Sequence, residues 1–438
     1  MLTNFAQTQK RGDDDRTITD DLFLSSPGSG YHPEAIVTEI KTIWDQWRDF
    51  LEAARADEDI HQYSAEKHGI VICGNGIRPK GNMPQDAYAQ TSQLLRTTKR
   101  REFHEIFSAE LSAIDNVLDS ASRIDGHRHE RDTMLQEARK LAVLQVEDSR
   151  QSQIVFLTDL LVAIIRDIYT AKPNLGHSET KLNEALVWPA MRFALYAVTK
   201  KKRGLQFFPG EERLRSMSIQ LKANGTYVDE RSCYKADGVL RCTEDNNELE
   251  VTLLETSNAY GQADPTKINF DFHKGMYGAV SMLKTVADIY KYASFHIMAK
   301  LKLYFWHVHT THIRLWSISC PSGGVFVMMR EDKCPIPISF NDDPKLLLDF
   351  TRFIWTFKAS INGVTYLSER LEETMASVDE LQNSNNHLMR DYRHCPLPPE
   401  KDLSQLVKPS IIKITERVHS TMFINDGPFS SPLVPPSL

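Results

Sequence analysis

The chain has 438 residues, of which 25% are charged and 41% hydrophobic, and its formal net charge is −6 at pH 7. These fractions lie near the averages of globular proteins, so they exclude a fibrous or wholly disordered chain. The mild negative charge excludes a surface that is basic all over, although a local basic stripe remains compatible with it. The length allows two or three domains, or one core with helical additions.

The cysteines and the apolar stretches indicate where the protein is expected to reside. Six cysteines form no paired CxxC motif, which predicts reduced thiols in a reducing compartment. The polar residues 1–16 do not form a signal peptide. The most apolar stretch, Ile154 to Ile165, is interrupted by Asp159 and is shorter than the ~20 residues of a spanning helix. We therefore expect an intracellular protein, nuclear or cytoplasmic, with no place in a membrane.

The first part of the chain predicts an arm followed by a helical region. Residues 1–33 are polar and contain Gly and Ser next to Pro, which predicts a disordered arm. Residues 34–175 carry mostly amphipathic patterns at helical spacing and form the predicted helical region. Within it, the apolar run Ile70 to Cys73 before Gly74-Asn75-Gly76 predicts one short strand and a turn.

Residues 176–341 predict an α/β (α+β) core with a mixed sheet, because the apolar period changes from helical to two. A helix is expected from Glu179 to Val198, bent at Pro189. A second helix is expected over residues 266–296. The predicted strands are the alternating segment Met217 to Leu221, then Ser232–Cys242, Leu249–Glu255, Leu301–Trp306, Ile313–Ser319 and Gly324–Met329.

The last part of the chain predicts a helical region and a tail. Asp343-Pro344 begins the C-terminal helical region, residues 342–390, since Asp can cap a helix and Pro suits its first turn. Its apolar positions supply about two heptads, too few for a coiled coil, and leave a protein partner open for this helix. Residues 391–438 form a Pro-rich tail, and we expect residues 400–438 to pack little apolar surface.

Two acidic residues mark the ends of neighbouring predicted strands. Asp237 stands in Lys-Ala-Asp-Gly, and Glu255 continues the face of Leu249, Val251 and Leu253. A carboxylate that ends a buried face needs a metal ion, a cation or hydrogen bonds. Two such carboxylates at one sheet edge can bind Mg²⁺ and support phosphodiester hydrolysis. A salt bridge or a turn at a strand end is the alternative interpretation.

The order of these motifs resembles the core of the PD-(D/E)XK nuclease-like superfamily over about residues 178–340. More narrowly, it resembles uncharacterised proteins of mucoralean fungi with a Ser-Glu helix that carries a Trp before a Lys-Ala-Asp strand. Ser178-Glu179, Trp188 and Pro189 match that helix here. The resemblance implies that Asp237 and Glu255 ligate the metal ion, with a further acid from the helix, either Glu179 or Glu184.

The resemblance also implies a lysine two residues after the second acid, where this chain has Ser257. Lys267 or Lys274 on the following helix could replace that lysine, and so could Lys235, which shares a strand face with Asp237. Without one of them the site would lack its cation.

Two further clusters of side chains are candidates for binding. The run Lys200, Lys201, Lys202 and Arg203 is a candidate for nuclear localisation or for binding nucleic-acid phosphates, or it is a solvated helix end. His307, His309 and His312 are interpreted as ordinary strand-end histidines rather than as a zinc site.

The leading hypothesis is therefore a DNA- or RNA-binding protein with Mg²⁺-dependent nuclease activity. A catalytically inactive nuclease-like interaction module and a helical scaffold protein are the alternatives.

Overall fold

A seven-stranded mixed sheet is the centre of this α/β fold, as seen in a computed structural model of the chain. The structure describes residues 41–95, 107, 111–122, 128–144, 148–196, 204–226, 229, 233–244, 247–339, 343–357, 370–393 and 395–414. The predicted arm and the basic run 200–203 lie outside the described residues. Residues from Lys41 onward cluster as one compact unit, so the predicted regions from 41 onward are parts of one body.

The strands follow the spatial order β1-β7-β6-β5-β4-β3-β2. Strands β1 and β7 pair in parallel, as do β4 and β5, and the other neighbouring strands are antiparallel. Their bounds are Ile70–Gly74 for β1, Gly204–Arg213 for β2, Lys235–Glu244 for β3, Asn247–Ser257 for β4, Leu303–His309 for β5, His312–Ser322 for β6 and Val325–Pro335 for β7.

Helices cover both faces of this sheet. The longest described helix, α9, connects the parallel strands β4 and β5 and packs on both. In chain order the α-helices are α1 Ile43–Ala56, α2 Gln85–Leu94, α3 Leu111–Ser122, α4 Arg128–Lys140, α5 Asp148–Ile164, α6 Glu179–Leu182, α7 Trp188–Tyr196, α8 Arg215–Ala223, α9 Pro265–Ile289, α10 Phe295–Met298, α11 Pro344–Phe357, α12 Arg370–Asp391 and α13 Leu403–Leu406. Short 3₁₀ segments occupy Glu66–His68, Leu141–Val143 and Pro399–Lys401.

The central strands are buried because helices lie on both sides of them. Every residue of β5 is buried, and so are eight consecutive residues of β6. Such strands are apolar along their whole length rather than in alternation. Strand β1 comes from the region that we predicted as helical, and the same sheet therefore extends beyond the predicted core 176–341. Its residues Ile70 and Val71 pair with Phe326 and Val327 of β7.

The segment around Met217 is a helix, so the prediction of a strand there is wrong. Met217 and Leu221 are buried, whereas Ile219 is 51% exposed. That pattern fits an α-helix, in which residues i and i+4 share a face, and not a strand, in which all three would share one. The first strand of the core is β2 instead, which contains Pro209 at the point where its register shifts.

The helix expected at Glu179 to Val198 is present, with a local widening before Pro189. Residues Asn183–Val187 form a π-turn between α6 and α7, and a second π-turn, Ile165–Thr170, extends α5. Proline cannot donate the intrahelical hydrogen bond and its ring crowds the preceding turn. The wider turn therefore accommodates Pro189 where a regular helix would kink.

The C-terminal helices begin as expected but bury more than expected. The carboxylate of Asp343 accepts the Lys345 backbone N–H at 2.9 Å, which confirms the predicted cap. Leu371, Val378 and Leu381 of α12 are buried within the chain, so they are not available to a partner helix. Among the helices that the structure describes, none is both long and apolar enough to cross a membrane.

The predicted tail is also ordered against the core over part of its length. Leu403 and Val407 have no exposed surface, and Ile414 is 4% exposed. Lys284 of α9 donates to the carbonyl and the hydroxyl of Ser404 at 2.8 and 3.0 Å. The prediction that residues 400–438 pack little apolar surface is therefore wrong for 401–414, because three apolar side chains dock there. Residues 415–438 lie outside the described part.

Candidate active site

The carboxylates of Asp237 and Glu255 lie on one face of the sheet. The antiparallel ladder between β3 and β4 pairs Gly238 with Leu254, and extending it by one residue places Asp237 opposite Glu255. Residues directly opposite each other in a sheet point to the same face. Asp237 is half-buried, whereas only 2% of Glu255 is exposed. The pair therefore forms a site with one deep carboxylate and one nearer to solvent.

Backbone and indole donors hold Asp237 in place. Its Oδ2 accepts the backbone N–H of Thr256 at 2.7 Å, which ties the end of β3 to the end of β4. Its carbonyl accepts the indole N–H of Trp188 at 3.0 Å. The tryptophan of the Ser-Glu helix thus contacts the Lys-Ala-Asp strand directly.

Two lysines of α9 lie beside the carboxylates of this site, and these charged side chains together are called the pocket. Lys274 Nζ lies 2.8 Å from Glu255 Oε2. Lys267 Nζ lies 3.2 Å from Oε1 of Glu179 and 3.2 Å from Oδ2 of Asp271. The two lysines are seven residues apart, about two helical turns, so one helix face presents both to the sheet edge. The expectation that α9 supplies the cation of this site agrees with these contacts.

Ser257 occupies the position at which the family pattern has lysine. Its hydroxyl is fully buried and lies 2.9 Å from Nε2 of His307. Its hydrogen bond to Asp271 lowers the pKa of that carboxyl, although burial has the larger and opposite effect and raises it overall. The Ser257 side chain is too short to contact the Glu255 carboxylate, and Lys274 contacts that carboxylate from α9 instead.

The helix segment 179–188 is attached to the ends of β3 and β4 by three hydrogen bonds. Glu179 Oε1 accepts the Asn258 backbone N–H at 2.6 Å. Asn183, in the π-turn, accepts the Thr256 hydroxyl at 2.7 Å. Together with the bond from Trp188, these contacts fix the Ser-Glu helix beside both strand ends. A π-turn in a helix commonly marks a functional site, and this one directs Asn183 at the strand that carries Glu255.

The site holds more negative than positive groups. Its four carboxylates and two ammonium groups would carry a net charge of −2 if all were ionised: Glu179, Asp237, Glu255, Asp271, Lys267 and Lys274. Burial raises the pKa of Asp237 to about 6 and raises the pKa of Glu255 well above its ordinary value. The Lys274 ammonium opposes both shifts but does not cancel them. Protons or one divalent cation can balance this excess.

The residues present fit a magnesium ion with few protein ligands. Glu255 Oε1 is buried and accepts no hydrogen bond from the described residues, so a carboxylate oxygen is free for a cation. Mg²⁺ is bound in many sites by one or two carboxylates while it keeps several waters. Asp237 and Glu255 would be its protein ligands, and the described residues contain no group of three or more His, Cys, Asp or Glu side chains placed to hold a metal ion.

Other residues proposed from the sequence lie away from this pocket. Glu184 is 52% exposed at its side chain and lies 3.8 Å from Lys181. Lys235 pairs with Glu211 of β2 at 2.7 Å and is half exposed, so it is not the cation beside Glu255. Of the helix acids that the resemblance offered, Glu179 pairs with Lys267 and Glu184 does not, since residues five apart in a helix point in widely different directions.

The histidines of β5 are part of the buried sheet. His307 and His309 have no exposed surface, and burial lowers the pKa of both, so they are neutral. His312 is half-buried, and burial lowers its pKa to about 4. The Nε2 atom of His307 lies 2.9 Å from the hydroxyl of Ser257.

Asp271 is the site residue that the sequence reasoning missed. It is 3% exposed although it lies in the apolar stripe of α9 between Phe270 and Phe272. A carboxylate among buried helix positions, four residues after Lys267, was the available signal.

No family model, no curated protein and no solved structure matches this chain.

Proposed function

We propose that the pocket around Asp237 and Glu255 binds one Mg²⁺ ion and hydrolyses phosphodiester bonds in nucleic acid. The observation that supports this most is the contact of Lys274 with Glu255, opposite Asp237 at one sheet edge. This combination of two carboxylates and an ammonium group is what the PD-(D/E)XK resemblance requires. The nuclear or cytoplasmic location expected from the sequence belongs to the same proposal.

Each charged residue of the pocket would have its own role in the reaction. Asp237 and Glu255 would hold the metal ion, which when bound would polarise the phosphate and lower the pKa of a bound water. Lys274 would stabilise the negative charge that develops on the phosphate. Lys267 would hold the side chains of Glu179 and Asp271 in place beside it. Water would add to phosphorus as one P–O bond breaks, and the leaving oxygen would take up a proton from solvent.

The excess of carboxylates over ammonium groups in this pocket supports a catalytic site rather than a purely structural one. Burial is the main cause that raises the pKa values of Asp237 and Glu255, and the Lys274 ammonium only partly opposes it. Functional sites commonly contain such perturbed groups.

A non-catalytic interaction module is the second candidate. The observation that favours it is Ser257, which removes the lysine expected next to Glu255 and engages His307 instead. In that case Lys274 and Glu255 would serve only as a buried ion pair. Of the apolar positions on which the alternative of a helical scaffold rests, Leu371, Val378 and Leu381 are buried within the chain and Leu388 is half-buried.

The test is a cleavage assay with single- and double-stranded DNA and RNA, with Mg²⁺ or EDTA. Asp237→Asn and Lys274→Gln are expected to lose activity while circular dichroism shows a folded protein. The matched control is Lys235→Gln. It removes a lysine from β3, the strand that also carries Asp237, but outside the pocket. Metal-dependent cleavage that persists in Asp237→Asn would contradict the proposal, and so would a wild-type protein that cleaves none of the four substrates.

A further inference from the structure

A row of ionisable residues crosses five strands of the sheet in line with the candidate active site. His307 pairs with Glu255 on one side and with Arg314 on the other, and Arg314 pairs with Lys333. With Asp237 opposite Glu255, the row runs from acidic on β3 and β4 to basic on β6 and β7. Partners in register point to the same face, so the basic end shares a face with the carboxylates.

A β-bulge adds a third cation to the basic end. The register between β6 and β7 pairs Trp316 with Arg330 and Leu315 with Asp332, so Glu331 is the extra residue. Because of this bulge, Arg330 lies on the face of Arg314 and Lys333 although it is three residues from Lys333. A bulge commonly re-aims side chains in this way.

The same bulge turns the acidic residues of β7 to the other face. Glu331 Oε1 lies 2.7 Å from Lys302 Nζ and 2.8 Å from Ser317 Oγ, and Ser317 points away from the face of Arg314. Asp332 pairs in register with Leu315, which also belongs to the opposite face. Strand β7 therefore has its cations on one face of the sheet and its carboxylates on the other.

Arg330 is held in a geometry that leaves most of its donors unused. It is 7% exposed, its Nε donates to the carbonyl of Asn75 at 2.5 Å, and its guanidinium lies 5.8 Å from the ring centre of Trp316. A side chain at Gly76 would meet its Nη2 at 2.6 Å, so glycine keeps this space open. A guanidinium has five N–H donors, and Nε provides only one of them.

The charges of Arg330 and Lys333 have no acidic counterpart among the described residues. Burial is the main cause that lowers the pKa of each, and no carboxylate raises either pKa. Arg314 lowers the pKa of Lys333 further. Cations held this close repel each other, and a bound anion would remove that repulsion.

We propose that Arg330, Lys333 and Arg314 form a phosphate-binding site for the backbone of a nucleic-acid strand. This inference rests on the proposed function, since it places a second phosphate of the same substrate. Strands β4 and β7 are three positions apart, or ~14 Å at ~4.8 Å per strand. A nucleic-acid strand that joins the two sites would pass around α9, because α9 packs on β4 and β5 and His307 between the sites has no exposed surface.

The test measures binding without cleavage, as fluorescence anisotropy of a labelled oligothymidylate in EDTA over a series of salt concentrations. Lys333 is exposed, so Lys333→Gln should leave the fold intact. We expect affinity to fall by roughly 3- to 10-fold and the slope of log K against log salt to decrease by ~0.7, the value for one lost contact with single-stranded nucleic acid. Arg330→Lys, which keeps the charge but loses the planar donors, should also weaken binding.

The control is Lys140→Gln, a surface lysine of α4 that pairs with Glu137. Unchanged affinity and slope in both Lys333→Gln and a folded Arg330→Lys would overturn the phosphate site. Inorganic phosphate serves as a competing probe. If it binds in a Lys333-dependent way while the oligonucleotide does not, the anion site stands and the nucleic-acid function falls. If Lys333-dependent strand binding occurs without hydrolysis, the proposed catalysis falls alone.

Discussion

Lys274 Nζ lies 2.8 Å from Glu255 Oε2, nineteen residues away in the chain and on the helix that faces its strand. The PD-(D/E)XK pattern would have a lysine on the strand itself, two residues after the acid, where Ser257 stands. A cation can reach the same carboxylate from either element, because α9 packs directly on β4. A cation therefore contacts Glu255 from α9, and its own strand has Ser257 in place of a lysine.

Replacing Asp237 by Asn should stabilise the protein while it abolishes hydrolysis. In the folded protein burial raises the pKa of Asp237 to about 6 from an ordinary 3.8. The stability that its protonated form provides is complete below pH ~4 and is lost as the pH rises through 6. At pH 8 the carboxylate thus costs up to about 3 kcal/mol. Thermal unfolding in EDTA should show a higher Tm for Asp237→Asn at pH 8 and nearly equal values at pH 4.

The matched control for that prediction is Glu250→Gln on strand β4. Glu250 accepts the backbone N–H groups of Arg215 and Ser216 and lies 3.3 Å from Arg241, so its charge is balanced. This variant should lower the Tm at pH 8. A decrease of the same size in Asp237→Asn would identify Asp237 as a structural residue.

Magnesium should raise the Tm of the wild-type protein. A ligand that binds only the folded state stabilises it by about 2.7 kcal/mol at a concentration of 100 Kd. Neutralising either ligand, as in Asp237→Asn or Glu255→Gln, should abolish the effect, whereas Lys235→Gln should retain it. Differential scanning fluorimetry with a Mg²⁺ series checks this. An equal shift in all four proteins would place the bound metal ion elsewhere.

Removing the cation beside Glu255 should destabilise the protein, and removing both charges should restore much of the loss. Lys274→Met leaves the Glu255 carboxylate buried without its partner, which should cost roughly 3 kcal/mol. The double variant Lys274→Met/Glu255→Gln has no buried charge in this pair and should be more stable than Lys274→Met. Urea unfolding of the wild type, both single variants and the double variant measures the coupling. Additive effects would show that the two side chains do not interact.

Gly275→Ala should destabilise the chain because α9 approaches β5 closely at this point. A Cβ at position 275 would overlap the ring of Phe305, which is fully buried and cannot move to solvent. Overpacking of this kind costs about 1–3 kcal/mol. The control is Gly81→Ala, where no atom lies within 4 Å of the added carbon. Equal urea midpoints for the two variants would contradict the tight packing of helix on strand.

Strand pairs close in sequence could be predicted, whereas contacts between distant segments could not. Strands β3 and β4 follow from alternating residues and a polar turn. The shared face of Asp237 and Glu255 could not be predicted, because it depends on a β-bulge at Val251; the register at the turn alone would place Asp237 opposite Leu254. The three apolar residues from Met217 to Leu221 alternate as in a strand, yet they lie in a helix in which only Met217 and Leu221 face the core. The position of Lys274 depends on how α9 is rotated against the sheet, which a sequence pattern does not contain.

Three further features could not be predicted from the sequence, each for a different reason. Strand β2 contains Pro209-Gly210, which are typical of turns, and it tolerates them because it lies at the edge of the sheet. The pairing of β1 with β7 is parallel and joins segments far apart, so no local turn signals it. Asp271 was missed because the apolar residues around it have helical spacing, and that spacing does not show that one charged residue on the helix is also buried.

The pairing of β1 with β7 has a consequence for how the chain folds. Asn75 and Arg330 are 255 residues apart in sequence, yet they form a hydrogen bond. Contacts of such high sequence separation form slowly, because a long loop must close before any interaction offsets its entropy. During synthesis β1 emerges early and stays without its partner until most of the chain has been made. A folding intermediate that lacks this pairing exposes the edge of β7, an apolar strand open to aggregation.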